Sequence, residues 1–112
     1  MSQITTHVLD TSLGRPAAGV QVTLEIQKGR GWKEISRGAT DADGRLRHLL
    51  EPGALVEGIY RLTFETHAYF QERKIRGLYP QITIAFEVQD KKQHYHIPLL
   101  LSPYGYSTYR GS

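Results

Sequence analysis

The 112-residue chain has no cysteine. Disulfides, thiolate metal sites, iron–sulfur clusters and cysteine nucleophiles are therefore excluded. It also has no long hydrophobic run. The longest apolar stretch, Ile97 to Leu101, contains Pro98 and falls far short of the roughly 20 residues that a membrane-spanning helix needs. Neither sign of charge dominates. Lys plus Arg number 14 and Asp plus Glu 11, a balance of +3 that does not by itself call for nucleic acid. Met1 to His7 show no basic stretch followed by an apolar one, so no secretory leader is expected. Arg110-Gly111-Ser112 is not a peroxisomal address, and the cytoplasm is the expected location. Gly-x-Ser-x-Gly, a Walker loop and a dinucleotide-binding fingerprint are all missing.

What is present describes a folded chain. Hydrophobic residues make up 39% and charged residues 22%, too apolar for a disordered protein. The length suits one domain spanning residues 1–112. Seven tyrosines favour strands over helices. Period-two alternation dominates, with turn signals about every 8–12 residues, the pattern of a sandwich or barrel. It predicts strands over Thr5 to Asp10, Val20 to Gln27, Trp32 to Arg37, a short one from Arg45, Ile59 to Thr66, Ile82 to Val88, His94 to Leu101 and Tyr104 to Tyr109. Leu13 to Pro16, Lys28 to Gly31, Asp41 to Gly44 and Glu51 to Gly53 read as turns. Ala68 to Lys74 breaks the alternation and reads as a short helix, with Gly77 as its left-handed cap. The expected fold is all-β, with about eight strands and one helix.

Side chains alternate across a strand, so parity assigns faces. Ile4, Thr6 and Val8 share one face of the first strand, and Thr5, His7 and Leu9 the other. Tyr95, Ile97, Leu99 and Leu101 share the core face of the penultimate strand, leaving His94, His96, Pro98 and Leu100 outside. An outer face that mixes histidines with aliphatics on two separate strands reads as a surface covered by a partner subunit. Single exposed leucines are also common, and that blander reading stays open.

Local motifs give little chemistry. His94-x-His96 puts two imidazoles on one strand face, but no third metal ligand accompanies them and no metal is expected. Asp41-Ala42-Asp43-Gly44 opens like a calcium loop, yet Leu46 and Pro52 stand where such a loop needs Gly and Glu. The basic Lys28 to Lys33 segment carries one tryptophan, and its two glycines make it a solvated hairpin tip before a nucleic-acid contact. What remains is a set dispersed along the chain: His7, Arg45, His96 and the closing Tyr109-Arg110-Gly111-Ser112. An imidazole can take a proton from water near neutrality, and a guanidinium can hold an oxygen that gains charge. A hydroxyl and a terminal carboxylate complete a set suited to hydrolysis of an electron-poor, partly anionic heterocycle.

Two long blocks carry a resemblance. One is His7-Val8-Leu9-Asp10-Thr11-Ser12-Leu13-Gly14-Arg15-Pro16-Ala17, continued by Thr40-Asp41-Ala42-Asp43-Gly44-Arg45. The other runs from His94-Tyr95-His96-Ile97-Pro98-Leu99-Leu100-Leu101-Ser102-Pro103 to Tyr109-Arg110-Gly111-Ser112. Together with Tyr60 to Phe64 and Ala68-Tyr69-Phe70, they make the chain resemble the 5-hydroxyisourate hydrolases, the enzymatic branch of the transthyretin-related family, nearly end to end. The resemblance implies a two-sheet β-sandwich assembled as a homotetramer, a dimer of dimers, with active sites in a channel between dimers. Carried over position by position, it implies His7, Arg45, His96 and Ser112 as catalytic residues, with Tyr109, Arg110 and Gly111 shaping the substrate pocket. The implied reaction opens the six-membered ring of 5-hydroxyisourate with water, without metal or organic cofactor. The resemblance leaves open which histidine is the base. The alternatives are a carrier of the same fold that holds a small aromatic ligand in the channel, and a sandwich that only mediates contacts.

Overall fold

The computed structural model describes residues 2–112. Each alternating stretch becomes a strand. The first sheet holds β3 (Gln21–Lys28), β4 (Gly31–Ala39), β6 (Gly58–Phe64) and β7 (Ile82–Val88) in the order β4-β3-β6-β7. The second holds β1 (Ile4–Asp10), β2 (Arg15–Pro16), β8 (Tyr95–Ser102) and β9 (Gly105–Thr108) in the order β2-β1-β8-β9. The two-residue β5 (Arg45–Leu46) also pairs with β1. A single helix, α1 (Thr66–Glu72), links β6 to β7. The architecture is mostly β, in two sheets with one short helix.

Parity assigned the faces correctly. Ile4 and Val8 of β1 and Tyr95, Ile97, Leu99 and Leu101 of β8 are buried in one core with Val22, Leu24 and Ile26 of β3 and Tyr60, Leu62 and Phe64 of β6. Removing each such side chain from water contributes about 1.5–3 kcal/mol. On the opposite face of the second sheet, His7, Leu9, His96 and Leu100 are half-buried. Pro98 departs from the outward, open position that alternation suggests and is buried. Its Cα pairs with His7 of β1, so it lies in the interior of the sheet.

β1 and β8 run parallel, in register from Ile4↔Tyr95 through Thr5↔His96 to Asp10↔Leu101. A parallel pair needs a long crossover, and here the whole first sheet lies between the two strands in sequence. β5 and β2 share the other edge of β1, facing Thr6–His7 and Leu9–Asp10 respectively.

Three local expectations need correction. The helix spans Thr66–Glu72 and ends earlier than Lys74. The left-handed residue after it is Lys74, with φ 57°, and not Gly77. Gly77 serves close packing instead: a Cβ there would lie 3.1 Å from the Pro103 carbonyl oxygen and 3.2 Å from Phe70 Cδ2. Arg15–Pro16, expected within a turn, forms the short strand β2.

One buried carboxylate ties the helix to the second sheet. Asp10 is fully buried. It accepts hydrogen bonds from the Tyr69 hydroxyl at 2.7 Å, from the Ser12 hydroxyl, and from the Ser12 and Leu13 amides. Burial alone would raise its pKa. The Ser12 and Tyr69 hydroxyls and the two amides outweigh that and hold it below the usual 3.8. Burial and the Asp10 partner push Tyr69 up to about 12. A carboxylate with a depressed folded-state pKa stabilises the fold above its unfolded pKa, and that contribution disappears as pH falls through the lower folded value. Tyr69→Phe leaves one Asp10 oxygen short of a donor and should cost about 1–3 kcal/mol at neutral pH. The loss should shrink as pH falls and Asp10 protonates, as read by urea unfolding at pH 7 and at a series of lower pH values.

Candidate active site

The outer face of the second sheet carries a cavity of about 280 Å³ lined by Thr5, Thr6, Arg45, Arg47, His94, His96 and Ser112. Four separate stretches of chain supply it. β1 brings Thr5 and Thr6, β5 and the residue after it bring Arg45 and Arg47, His94 and His96 come from the start of β8 and the residue ahead of it, and the C-terminal tail brings Ser112.

Each is positioned by a local device. Arg45 is the Cα partner of His7. The turn Asp41–Gly44 delivers it there: Asp41 Oδ1 accepts from the amides of Asp43 and Arg45, both at 2.9 Å. Those amide bonds, the Arg45 amide first, hold the Asp41 carboxyl below its usual range. Gly44 closes the turn with φ +76°, and a Cβ there would lie 2.4 Å from the Val8 carbonyl oxygen. Only glycine fits both the conformation and the space. The Val8 amide donates to the Gly44 carbonyl at 2.7 Å and pins the turn to β1.

The tail reaches the cavity because β9 continues past its end. Thr108 pairs with Leu99, and after Tyr109 and Arg110 a bridge forms between Gly111 and His96 in the same antiparallel register. Pro98 offers no amide between them. The Thr108 hydroxyl takes up its carbonyl at 2.7 Å. The Gly111 amide donates to the His96 carbonyl at 2.8 Å. A Cβ at Gly111 would lie 2.4 Å from His96 Cδ2, so the imidazole lies directly over the glycine. The Arg110 guanidinium donates to the Gln93 side chain at 2.8 Å and to the His94 carbonyl at 3.2 Å, and it stacks over the Tyr95 ring at 4.5 Å.

The two histidines differ. His7 Nε2 donates to the Asp43 carbonyl at 2.9 Å, which leaves Nδ1 as the unprotonated nitrogen of the neutral ring. His96 Nδ1 lies 2.8 Å from Thr5 Oγ1, and Nε2 has no hydrogen-bond partner among the described residues. No buried side-chain nitrogen or oxygen among the described residues lacks a partner, so Nε2 is open to the cavity or to solvent. Burial lowers the pKa of His96, and the charges of Arg45, His94 and His7 lower it further. Burial and then Arg45 lower that of His7, against the pull of the Asp43 carbonyl and the Asp41 and Asp43 carboxylates. Both rings are therefore neutral at pH 7, as a base requires.

Arg45, His96 and Ser112 thus line one cavity. His7 stands beside it, opposite Arg45, and near enough to His96 that protonating one ring disfavours protonating the other. Gly111 touches the His96 ring. Tyr109 and Arg110 lie elsewhere, along a second cavity of about 280 Å³ between the edges of the two sheets, with Ile84, Phe86, Tyr95 and Ile97. Thr5 and Arg47 were not singled out from the sequence. Parity could have found both, since Thr5 precedes His7 by two residues and Arg47 follows Arg45 by two. Among the described residues no group of three or more His, Asp or Glu side chains could hold a metal ion, and His94 and His96 converge on the Thr5 hydroxyl instead.

Fold and site define a two-sheet β-sandwich that gathers imidazole, guanidinium and hydroxyl groups in an open cavity on one sheet. The chain belongs to the HIUase/Transthyretin family, whose model matches residues 4–111. It is 46% identical over 109 residues to a 5-hydroxyisourate hydrolase of Salmonella typhimurium, covering 97% of this chain and 80% of that one. The solved structure of Klebsiella pneumoniae 5-hydroxyisourate hydrolase superposes with a TM-score of 0.88 at 37% identity over the full length of both chains. Sea bream transthyretin in complex with thyroxine superposes with a TM-score of 0.93 at 28% identity, covering 98% of this chain and 95% of that one.

Gly44→Ala forces a strained backbone and a clash with the Val8 carbonyl. It should lower stability by about 2 kcal/mol or more, measured by urea unfolding. Unchanged stability would show that the turn relaxes away from the Val8 carbonyl at no cost.

Proposed function

We propose that this protein hydrolyses 5-hydroxyisourate, opening its six-membered ring to 2-oxo-4-hydroxy-4-carboxy-5-ureidoimidazoline in the breakdown of urate. The observation that carries this reading is the pairing, in one cavity, of Arg45 with a neutral His96 whose Nε2 has no protein partner. The likeness to named hydrolases over nearly the whole chain supports it.

In this reading His96 Nε2 takes a proton from water, and the resulting hydroxide adds to a ring carbonyl carbon. Arg45 donates hydrogen bonds to the oxygen that gains charge in the tetrahedral intermediate. The ring carbon–nitrogen bond then breaks, and the proton held by His96 passes to the leaving nitrogen. His7 orients the water through the nitrogen not engaged by Asp43, and Ser112 positions water or substrate with its hydroxyl. Arg47 adds a second cation for a substrate with anionic character. Neither metal nor organic cofactor takes part. We also propose assembly as a homotetramer, a dimer of dimers. The half-buried His7, Leu9, His96 and Leu100 on one sheet face support a surface that a second dimer covers.

The alternative is a carrier that holds a small aromatic ligand without turning it over. The high structural likeness to sea bream transthyretin favours it, and the lower identity to that protein than to the hydrolases weighs against it. The discriminating experiment generates 5-hydroxyisourate from urate with urate oxidase and follows its ultraviolet decay. Accelerated decay is expected with this protein, and an unchanged rate would leave the carrier reading in its place. His96→Ala and His7→Ala should each slow turnover by about 10²-fold or more, the usual scale for a group handling the proton. Wild-type rates in either variant would remove the role assigned to that ring.

The acid limb of kcat/KM should have its midpoint below 6.5, because the surroundings lower both histidines from that value and protonation abolishes the base. Activity should therefore persist into mildly acidic solution and fall only below it. A midpoint at or above 6.5 would contradict the assignment.

A further inference from the structure

One hydroxyl joins two imidazoles at the wall of the cavity. Thr5 and His96 are cross-strand partners, and Thr5 Oγ1 lies 2.8 Å from His96 Nδ1. The same oxygen lies 3.0 Å from His94 Nε2. Thr5 is only 4% exposed, so bulk water hardly competes for its hydroxyl. The two rings run nearly parallel, with centroids 6.2 Å apart and planes 17° apart. His94 itself is exposed. Its backbone is fixed from the far side, where Arg110 donates to its carbonyl.

A hydroxyl has one proton to give and can also accept. Between two neutral imidazoles it donates to one ring only, so the other ring must supply an N–H. Two arrangements satisfy both contacts. In the first, His96 Nδ1–H donates to Thr5 Oγ1, and the Thr5 hydroxyl donates to His94 Nε2. His96 Nε2 is then a bare lone pair. In the second, both bonds reverse, and His96 Nε2 carries the proton and cannot act as a base. Which ring nitrogen is protonated is set by the hydrogen bond that the other nitrogen makes.

We propose that Thr5 and His94 are positioning residues that hold His96 in the first arrangement, with its unprotonated Nε2 available to the cavity. This rests on the reading of His96 as the base. The cavity lining favours that direction. Arg45 and Arg47 are donor-only guanidiniums, and a lone pair suits their company better than another N–H does. An isolated histidine prefers the proton on Nε2, so without the relay the ring reverts to the form that cannot act. When His96 takes a proton on Nε2, its Nδ1–H stays on Thr5 and no bond has to rearrange. The charged and titratable groups around the ring are His7 from β1, Arg45 from β5, Arg47 just beyond it, His94 ahead of β8, and the Ser112 carboxylate from the tail. Removing the Thr5 oxygen takes an acceptor from the imidazolium, so the acid limb should move to still lower pH.

The test labels histidine with ¹⁵N in the full chain and reads the ring-nitrogen shifts, which tell protonated from bare nitrogens. At pH 8 the wild-type His96 ring is expected to carry its proton on Nδ1. Thr5→Val and His94→Phe should each shift it toward Nε2–H. Each should lower kcat by about 10-fold with little change in KM, and Thr5→Ser, which keeps the hydroxyl, should recover most of the rate. His94→Phe alters an exposed ring, so the test survives should the buried Thr5→Val fail to fold. A proton on Nε2 in the wild type, or an unaltered tautomer in the folded variants, overturns the proposal. The shifts are read without substrate. The expected tautomer without any turnover therefore overturns the proposed hydrolysis, whereas turnover with the proton on Nε2 overturns this proposal and the base role of that nitrogen and leaves the hydrolysis standing.

Discussion

The parallel pairing of β1 with β8 is the constraint on which the site depends. Its register sets Thr5 against His96 and His7 against Pro98. Everything else in the cavity is placed relative to those two strands. β5 hangs on the free edge of β1 and brings Arg45 opposite His7. The tail hangs on β8 and brings Gly111 onto the His96 ring. A slip of one residue in the central pair would turn one strand over relative to the other, sending either His7 into the core and Val8 out of it or His96 in and Ile97 out. The apolar face therefore secures the chemistry of the polar one.

The site is also an exercise in backbone economy. Two glycines do what no other residue could. Gly44 takes a left-handed conformation against a carbonyl, and Gly111 lets an imidazole rest on a bare Cα. Pro98 removes an amide from the ladder where the tail detaches, and Thr108 takes over its carbonyl. Burial and the neighbouring guanidinium keep the two histidines neutral, while the Asp43 carbonyl and the Thr5 hydroxyl occupy one nitrogen of each. The two rings are thereby made unlike each other, although both are histidines on one sheet face.

Much of this was legible in the sequence. Alternation placed Ile82–Val88 without error, and the other main strands to within one or two residues at each end, because one apolar face per strand leaves little freedom of register. The helix was shifted because its composition marks good helix formers but not where tertiary contacts begin: Thr66 is buried, and its hydroxyl meets the Tyr79 carbonyl. Gly77 looked like a cap, and the close approach of Phe70 that explains it involves packing no local pattern encodes. Convergence of His7 with Arg45 and His96 came from resemblance, since contacts across some 90 residues leave no local signature. Thr5 escaped notice for a related reason: a threonine in an alternating strand reads as a β-branched filler until its cross-strand partner is known.

The two equal cavities permit a direct test of the central claim, that the outer face of the second sheet is where substrate is held. A crystal structure with a non-hydrolysable purine analogue of 5-hydroxyisourate is the measurement. The account predicts the analogue against Arg45 and within hydrogen-bond reach of His96 Nε2. An analogue bound instead between Tyr109, Arg110 and the β7 edge, with the histidine cavity empty, would contradict it.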